Sequence, residues 1–501
     1  MPVQITPAAE SVRPAAQPQN LIIIMADELR WQTMGCYGDP VVHTPAMDSL
    51  AARGTRFTAA YTNSPVCVPA RASFATGRYL CDLNAYWDNA DPYDGLEESW
   101  HHQLRAAGHT VSSIGKLHFR DLTDDYGFTE TLIPMHVVEG KGDLMGLVRD
   151  DLPKRKGAWK MAGMAGPGES PYTHYDRDIT ARTETWLAAR ASEVPGKPWC
   201  LFVSLVCPHF PLTAPEEHFA RYWNDPKLPM PKRYDPASRP DHPYHTEYAG
   251  SFAYDEHFPD AEAVQKAVAG YYGLVSFLDE NVGRILAALD RTGLAGNTRV
   301  VMTSDHGDNL GARGLWGKST MYEEAVGIPL IMAGAGVPAG HVCPTPVSLV
   351  DLYPTILEGV GLPPDSPSRR PGQSLFSLAP RVDTARTAFS EYHGMGSTAA
   401  MFMVRRENWK YVHYVRHPAQ LFDLAADPGE EQDRITDPAA APALALMQAE
   451  LAAICDPDEV DARCKSRQAR LLELNGGRDA VIARGDLGFS PPPGVEVDFN
   501  V

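Results

Sequence analysis

The sequence predicts a doubly wound α/β fold with a smaller α+β part at its C-terminal end. Three observations predict this fold: apolar runs typical of buried strands, helical patterns between those runs, and a change of pattern late in the chain. The apolar runs are residues 21–26, 109–114, 199–206 and 299–304. Such runs are typical of parallel strands that helices cover on both faces. Ligands bind at the carboxyl ends of such strands, so the residues after each run are the first candidates for a site.

Helical patterns separate the apolar runs. Thr44 followed by Pro45 is typical of an N-cap and a first helical position, and Gly54 predicts the end of this helix. Residues 97–107, about 175–191 and 260–289 are predicted as helices on the same grounds. Strands that alternate with helices indicate a single large sheet with helices on both faces.

The composition changes beyond the last apolar run. Residues 363–380 are rich in proline, serine and arginine, as linkers are, and residues 401–414 and 420–424 predict antiparallel strands. We therefore predict a flexible N-terminal arm over 1–19, a catalytic domain over 20–375, and a C-terminal α+β subdomain with a tail over 376–501. Residues 132–171 and 234–259 are predicted as long loops, which usually act as lids or interfaces.

Charge and cysteine content argue against several classes of protein. The 501-residue chain has a net charge of −18, from 45 basic and 63 acidic side chains, which argues against a nucleic-acid or anionic-membrane partner. We find no apolar run long enough to span a membrane, and residues 1–20 lack the apolar segment of a secretory signal. The eight cysteines form no Cys-x-x-Cys pair, so we expect reduced thiols and a cytoplasmic protein.

The most informative motif is Cys67-Val68-Pro69-Ala70-Arg71, within residues 64–77. Its three fixed positions are weak evidence by themselves, because a chance match in a chain of this composition is roughly a one-in-twenty event. The alternative interpretation of the cysteine is a buried, inert thiol. The meaning of the motif therefore depends on the residues at the strand ends.

Acidic residues follow the first and the last apolar run. Asp27 ends the first, and Asp305 with His306 follows the last in a glycine-containing turn. An aspartate at a strand end is also a common helix cap, but two such aspartates beside a histidine indicate a metal site. Carboxylates favour a hard ion such as Ca²⁺, whereas an imidazole ligand favours Mn²⁺, and the sequence leaves both open.

Basic residues follow the other runs. Lys116 and His118 lie in Gly-Lys-Leu-His-Phe, His209 in Cys-Pro-His-Phe-Pro-Leu, and Lys318 in Arg-Gly-Leu-Trp-Gly-Lys-Ser. An isolated lysine or histidine is usually a solvated surface group. An acidic chain offers no overall attraction for an anionic substrate, so any anion selectivity must come from a local cluster of cations such as this.

Taken together, these motifs resemble the type I, formylglycine-dependent sulfatases of the alkaline-phosphatase-like superfamily. The resemblance covers residues 20 to about 434 and is strongest to the arylsulfatase, choline-sulfatase and phosphonate monoester hydrolase branch. It implies an alkaline-phosphatase-like, mostly parallel sheet flanked by helices. It also implies that a formylglycine-generating enzyme converts Cys67 to 3-oxoalanine (formylglycine), and that Asp27, Cys67, Asp305 and His306 hold one divalent metal.

The resemblance assigns roles to the basic residues. The hydrated aldehyde at position 67 attacks sulfur, while Lys116 and Lys318 offset the charge of the sulfuryl oxygens. Either His209 or Lys318 protonates the leaving oxygen. His118 then takes the proton that lets the second hydroxyl collapse and expel sulfate.

Four further positions follow from the motif context. Arg71 lies one helical turn after Cys67, which predicts a hydrogen bond from its guanidinium to the modified side chain. Asn89 and His393 are predicted to line the substrate pocket. Glu28 stands where the family usually has a second acid and where this branch often has glutamine, so it is either a metal ligand or a neighbour of the ligands.

We therefore predict hydrolysis of small-molecule sulfate monoesters of the arylsulfatase type by a homo-oligomer. Alternatives on the same site are a phosphonate monoester or phosphodiester hydrolase, a choline sulfatase, and a transferase that passes the group to an alcohol. A protein that only binds its ligand would not need Cys67 or the metal acids. For choline, four residues offer the aromatic and acidic types that a quaternary ammonium requires: Trp87, Asp88, Asp91 and Tyr93.

Overall fold

The structure, a computed structural model, describes residues 18–194, 196–364, 370–497 and 499. The predicted N-terminal arm lies outside this range except for Pro18 and Gln19. The strands of the described residues are β1 (Asn20–Asp27), β2 (Gly54–Phe57), β3 (Ala60–Tyr61), β4 (Val111–Lys116), β5 (Glu130–Met135), β6 (Gly166–Pro167), β7 (Cys200–Pro208), β8 (Thr213–Ala214), β9 (Thr298–Ser304), β10 (Leu330–Ala333), β11 (His341–Cys343), β12 (Val347–Ser348), β13 (Ala388–Tyr392), β14 (Met401–Arg406), β15 (Trp409–Tyr414) and β16 (His417–Asp423).

Helices surround these strands on both sides. The α-helices of the described residues are α1 (Pro45–Ala52), α2 (Cys67–Thr76), α3 (Leu80–Leu83), α4 (Trp100–Ala106), α5 (Lys160–Gly163), α6 (Pro171–Ala191), α7 (Glu216–Phe219), α8 (Pro243–Phe252), α9 (Ala261–Arg291), α10 (Glu323–Val326), α11 (Leu352–Gly359), α12 (Leu375–Leu378), α13 (Ala441–Ile454), α14 (Pro457–Leu474) and α15 (Gly477–Arg484). Among the described residues, no single helix is both long enough and apolar enough to span a membrane. One bent pair of helices, residues 438–454 and α14, meets these two criteria when taken together.

A large sheet orders its strands β11-β2-β10-β9-β1-β7-β4-β5. β1 runs parallel to β7 and β9, and β4 runs parallel to β7 and β5. β10 is antiparallel to both of its neighbours, because the chain between β9 and β10 returns to the same end of the sheet. The predicted doubly wound, mostly parallel sheet is therefore confirmed, with one reversed strand.

β1 shows why these runs form the centre of the sheet. All eight of its residues are buried. Ile22 and Ile24 pack into the apolar core on one face, and Leu21, Ile23 and Met25 pack into the core on the other. Alternate residues of a strand point to opposite faces, and burying each of these side chains contributes about 1.5–3 kcal/mol.

The helix ends differ from the sequence-based predictions where side-chain caps decide them. α4 begins at Trp100 because Ser99 and His102 cap one another's backbone, and α6 begins at Pro171 because Ser170 accepts a hydrogen bond from the Thr173 amide. α1 ends at Ala52, so Gly54 opens β2 rather than closing the helix.

The C-terminal part is the predicted α+β unit. Its four strands form the antiparallel sheet β13-β14-β15-β16, and α13 packs against β14 and β15. The predicted linker includes α12, where Leu375 is fully buried, while residues 365–369 lie outside the described range. The prediction of structureless loops was wrong for 234–259, which contain α8, because Tyr244 and Tyr248 lie one turn apart and are both buried.

Candidate active site

Parallel strands bring the predicted strand-end residues to one end of the sheet. Asp27 ends β1, Lys116 ends β4, His209 follows β7, and Asp305 follows β9. These strands are neighbours in the order β9-β1-β7-β4, so their carboxyl ends lie side by side. All four side chains are buried.

Gly115 allows β4 to approach β7 directly before Lys116. Its φ is +104°, in the left-handed region that favours glycine. A Cβ at this position would lie 2.3 Å from the carbonyl oxygen of Ser204 in β7. The glycine therefore sets where the Lys116 side chain enters the site.

Helix α2 presents Cys67 at its first position. Val66 precedes it with extended backbone, and the Oδ1 of Asn89 accepts a hydrogen bond from the amide of Val68 at 3.2 Å. The helix ends at Gly77 with a φ of +67°, where a Cβ would lie 2.7 Å from the side chain of Tyr353. The partial positive charge of the helix N-terminus thus lies at Cys67 and favours negative charge there.

Four potential metal ligands converge beside this helix end. One ligand atom each from Asp27, Cys67, Asp305 and His306 lies within 4.8 Å of the others. Nε2 of His306 is 3.1 Å from Sγ of Cys67, 3.6 Å from Oδ1 of Asp27 and 3.7 Å from Oδ1 of Asp305.

The orientation of His306 suits a metal ligand. Its Nδ1 donates a hydrogen bond to the carbonyl of Gly307 at 2.9 Å, and this contact turns Nε2 toward Cys67, Asp27 and Asp305. Two carboxylates, an imidazole and a sulfur at such short distances are a donor set that fits a divalent ion. The hard carboxylates and the imidazole are compatible with both predicted ions.

Arg71 supports the carboxylates rather than the side chain at position 67. Its Nε donates to Asp305 Oδ2 at 2.8 Å, and its Nη2 lies 3.5 Å from Asp27 Oδ2. Its Nη1 donates to the carbonyl of Lys116 and to Ser204 Oγ, each at 2.9 Å. The guanidinium thus points along the strand ends, and the predicted hydrogen bond to the modified side chain at position 67 stays a prediction.

Lys116 pairs directly with Asp27 through Nζ and Oδ2, and neither side chain is exposed. Burial alone raises the pKa of Asp27, but the charges of Lys116, Lys318 and Arg71 hold it well below its usual value. Asp27 is therefore an anion at every pH at which the protein is expected to act.

The ammonium of Lys318 is surrounded by three acceptors. It lies 2.8 Å from Nε2 of His209, 3.1 Å from Sγ of Cys67 and 3.2 Å from Oε2 of Glu28. Burial alone lowers the pKa of Lys318, but its hydrogen bond to Cys67 and the nearby carboxyl groups of Glu28 and Asp27 hold it well above its usual value. Lys318 therefore keeps its proton at neutral pH.

His209 is neutral and accepts from Lys318. Its Nδ1 lies 2.7 Å from the carbonyl of Phe210 and donates to it, so Nε2 carries the lone pair. Burial and the charge of Lys318 hold the pKa of His209 well below 6.5. Of the two predicted proton donors, Lys318 thus carries the proton in this state.

Glu28 faces Lys318 and His209. Its backbone has a left-handed φ of +68°, and its Oε2 lies 3.3 Å from Nε2 of His209. Burial raises the pKa of Glu28 well above its usual value, and Lys318 opposes this rise. Glu28 is not one of the four clustered ligands but forms a second group of potential ligands with Asp27 and His209, so its predicted role as ligand or neighbour stays open.

His118 lines the same cavity without a partner. Neither ring nitrogen has a hydrogen-bond partner among the described residues, although the side chain is buried. Its backbone amide donates to the carbonyl of Met135 at 2.8 Å, and its φ is +56°. Burial and the charge of Lys116 hold the pKa of His118 well below 6.5, so its imidazole is a free proton acceptor at neutral pH.

The cavity above these groups has an open volume of about 800 Å³. Cys67, Asn89, His118, His209 and Lys318 lie among its lining residues, as the sequence predicted for Asn89. Its sides are mostly apolar or aromatic and come from several separate segments, namely Val137, Met161, Phe210, Tyr248, Phe252, Met395, Leu487 and Phe489.

The structure does not bring His393 to the cavity. His393 is fully buried, with Nε2 at 2.9 Å from Glu391 Oε2 and its ring against the edge of Trp87. Asp88 and Asp91 also turn away, to Gln468 and Arg467 of α14. His393 was predicted to line the pocket, whereas Asp88 and Asp91 were only of a type that suits choline; all three instead contact residues near or in α14.

Sequence reasoning missed the residues that the C-terminal tail and its partner Arg155 contribute to the cavity wall. Arg155 and residues 486–490 belong to this wall. The available signal was the apolar pair Leu487 and Phe489 in the tail that follows α15. Phe210 was also missed, although it directly follows His209.

The architecture and the strand-end site are those of the alkaline-phosphatase-like class of hydrolases. The sulfatase family model matches residues 19–362, and the model described as N-sulphoglucosamine sulphohydrolase, C-terminal, matches residues 311–456. The chain therefore belongs to the sulfatase family, and the predicted enzyme class, a sulfuric ester hydrolase, is confirmed at this level.

Similar proteins include both sulfatases and phosphonate hydrolases. A choline-sulfatase of Rhizobium meliloti (strain 1021) is 32% identical over 470 residues, which cover 90% of each chain. Arylsulfatase K of Homo sapiens is 28% identical over 453 residues, 84% of this chain and 80% of the relative. The phosphonate monoester hydrolase of Agrobacterium radiobacter has a TM-score of 0.69 at 23% identity, over 87% of this chain and 95% of that one. The hydrolase SpPMH from Silicibacter pomeroyi has a TM-score of 0.67 at 26% identity, over 86% and 94%.

Proposed function

We propose that this protein hydrolyses sulfate monoesters with a formylglycine at position 67 and one divalent metal. The observation that carries the proposal is the position of Cys67 between two groups of side chains. On one side lie the three other potential metal ligands, and on the other lies the ammonium of Lys318. A tetrahedral anion beside residue 67 is thus in reach of positive charge from both sides.

The unmodified thiol is a poor nucleophile in this environment. Burial raises the pKa of the Cys67 thiol to about 11, so the thiol stays protonated at neutral pH. Sγ of Cys67 therefore stands in for an oxygen of the modified side chain. The hydrated aldehyde supplies two geminal hydroxyls, one to attack sulfur and one whose collapse expels sulfate.

Asp27, Asp305 and His306, with the modified residue 67, would hold the metal. When bound, a divalent ion lowers the pKa of a coordinated hydroxyl and offsets the charge of the sulfuryl oxygens. Ca²⁺ is favoured by the two carboxylates, and Mn²⁺ is the alternative because of the imidazole. Arg71 pairs with both carboxylates and Lys116 pairs with Asp27, and these contacts fix the orientation of the carboxylates.

Proton movement follows from the hydrogen bonds around the cavity. Lys318 stabilises the leaving oxygen as a cation and donates its proton, and the neutral His209 beside it orients the ammonium. His118, with both ring nitrogens unpartnered among the described residues, accepts the proton from the second hydroxyl. This division assigns the acid and the base to two different residues of the cavity lining.

The alternative is a phosphonate monoester or phosphodiester hydrolase on the same residues. The 26% identity to SpPMH supports it, and a cluster of cations does not by itself distinguish sulfuryl from phosphoryl oxygens. A transferase on the same residues would differ from the hydrolase only in passing the group to an alcohol instead of to water.

A comparison of three substrates tests the proposal. kcat/KM is measured for an aryl sulfate, an aryl phosphonate monoester and an aryl phosphodiester with the same leaving group, on protein with fully modified residue 67. We expect the sulfate to be the best substrate and the other two to be measurable. A phosphonate or diester that is better by tenfold or more makes the alternative the primary function.

Maturation and location complete the proposal. We propose that a formylglycine-generating enzyme modifies Cys67 and that the protein acts in the cytoplasm as a homo-oligomer. All eight cysteines are free thiols, which supports a reducing compartment. The homo-oligomer stays a prediction.

A further inference from the structure

We propose that Tyr248 of α8 is a positioning residue, which fixes the ammonium of Lys318 against the leaving oxygen of the substrate. The ring of Tyr248 lines the cavity, and its hydroxyl holds the backbone of Lys318. This inference rests on the proposed sulfate ester hydrolysis, in which Lys318 protonates the leaving oxygen, and adds a residue on which that step depends.

Lys318 lies in a sharp turn of residues 317–319, here called the Lys318 turn. Gly317 and Ser319 flank the lysine with φ values of +66° and +73°, both in the left-handed region. Glycine adopts this backbone freely, whereas a serine keeps it only where surrounding contacts hold it. The direction in which the Lys318 side chain leaves the backbone therefore depends on those contacts.

Residues 308 and 309 hold the beginning of the Lys318 turn. The amide of Gly317 donates to Oδ1 of Asp308 at 3.1 Å. Asn309 donates to the carbonyl of Gly317 from its backbone amide at 2.6 Å and from its Nδ2 at 2.7 Å. The same Nδ2 reaches the carbonyl of Lys318 only at 3.3 Å. The carbonyls of Lys318 and Ser319 therefore depend on donors from another segment.

Two tyrosines of α8 supply these donors. The hydroxyl of Tyr248 donates to the carbonyl of Lys318 at 2.9 Å, and the hydroxyl of Tyr244 donates to the carbonyl of Ser319. Both tyrosine side chains are buried. Hydrogen bonds in such an environment are strong, and a buried carbonyl that loses its donor is costly. The two phenols thus fix the second half of the Lys318 turn.

The ring of Tyr248 is itself fixed. It packs on the ring of Phe252 at a centroid distance of 4.6 Å. Gly396, with a φ of +76°, comes so close that a Cβ there would lie 2.8 Å from Cδ2 of Tyr248. The ring has little room to move, so its hydroxyl is a donor at a fixed place.

The place of the Lys318 ammonium matters because proton transfer depends steeply on the distance and alignment of donor and acceptor. Nζ of Lys318 lies 3.1 Å from Sγ of Cys67, the position of the predicted nucleophile. Without the Tyr248 hydroxyl, the longer contact to Asn309 is the one hydrogen bond left to the Lys318 carbonyl among the described residues. The turn can then shift and carry the ammonium with it, so Tyr248 acts on the leaving group through Lys318.

Tyr248→Phe tests this role, because it keeps the ring and removes the hydroxyl. In protein with fully modified residue 67, we expect kcat for an aryl sulfate to fall roughly tenfold with little change in KM. The loss should be several-fold larger for an alkyl sulfate, whose leaving oxygen depends more on the proton. An unchanged kcat, a change confined to KM, or the same loss for both esters overturns the inference.

Tyr126→Phe is the matched control for stability. Its buried hydroxyl also donates to a backbone carbonyl at 2.9 Å, that of Asp121, and Tyr126 is not among the residues that line the cavity. Both variants should lower the unfolding temperature by a similar amount, but Tyr126→Phe should leave kcat unchanged. A similar loss of kcat in both variants shows a general effect of stability and contradicts the inference.

A double variant decides whether Tyr248 acts through Lys318. In the Lys318→Ala background, Tyr248→Phe should cause no further loss of kcat, whereas additive losses overturn the inference and leave sulfate hydrolysis intact. If Tyr248→Phe does not fold, Tyr244→Phe tests the same turn and should show the same dependence on the leaving group. Absence of turnover for every sulfate ester by the unaltered, fully modified protein overturns the proposed function instead.

Discussion

The ammonium of Lys318 lies 2.8 Å from Nε2 of a neutral His209 and 3.1 Å from Sγ of Cys67. Lys318 thus contacts both His209, the other predicted leaving-group acid, and Cys67, the position of the predicted nucleophile. Because His209 accepts rather than donates at this contact, the two residues form a unit in which Lys318 supplies the charge and the proton. The first prediction concerns this unit.

Lys318→Ala should lower kcat by roughly 10²–10⁴-fold, the usual contribution of a positioned acid. The loss should be larger for alkyl than for aryl sulfates, because a poor leaving group depends more on protonation. Kinetics over a series of leaving groups measures this effect. The exposed Lys227→Ala serves as control, and a loss independent of the leaving group contradicts the assigned role.

Glu28→Gln should retain the metal and lose activity. The carboxylate of Glu28 faces Lys318 and His209, whereas Asp27 lies among the four ligands. Asp27→Asn removes a ligand and should lower metal content sharply. Elemental analysis of both purified variants compares the two. Equal metal loss in both variants identifies Glu28 as a ligand and overturns this prediction.

Arg71→Lys should weaken metal binding by roughly 10–100-fold, as loss of a group that orients ligands commonly does. A lysine cannot reproduce the planar set of donors that Arg71 directs to Asp305 and Asp27. Titration of the metal-free protein measures the change. Arg78→Lys, a partly exposed arginine paired with Glu97, is the control. Unchanged affinity in Arg71→Lys shows that its contacts are dispensable.

The acidic limb of the pH profile should lie below the ordinary histidine range. Burial and Lys116 lower the pKa of His118, so the imidazole remains a base as pH falls through about 6.5 and is lost only at lower pH. kcat/KM for an aryl sulfate should therefore stay constant as the pH falls from 8 through the ordinary histidine range and should fall only below that range. His118→Ala should lose activity across the range. If the acidic limb of the profile has its midpoint at or above pH 6.5 and depends on His118, the lowered pKa assigned to this buried imidazole is contradicted.

The sequence predicted the site best where a residue directly follows a buried strand. Asp27, Lys116 and Asp305 meet because β9, β1, β7 and β4 are parallel neighbours, and this order follows from apolar runs separated by helices. Residue types and strand ends are local properties of a sequence. The predicted meeting point of these groups therefore needed no knowledge of distant contacts.

The remaining details depend on contacts between distant segments. Whether Arg71 points to residue 67 or to Asp305 depends on the position of α2 against β9, which local spacing does not reveal. The Asp486–Arg155 pair joins residues 331 positions apart, so no periodicity indicates it. His393 was assigned to the pocket by motif context alone, and its packing against Trp87 decides otherwise.

The state of residue 67 is the most direct test of the account. Mass spectrometry of the peptide that contains Cys67, in protein made with a formylglycine-generating enzyme, should show a form about 18 Da lighter than cysteine. Sulfatase activity per molecule should rise in proportion to the fraction of that form, because the buried thiol is protonated at neutral pH. Full turnover by protein whose peptide carries only the unmodified thiol would contradict the account.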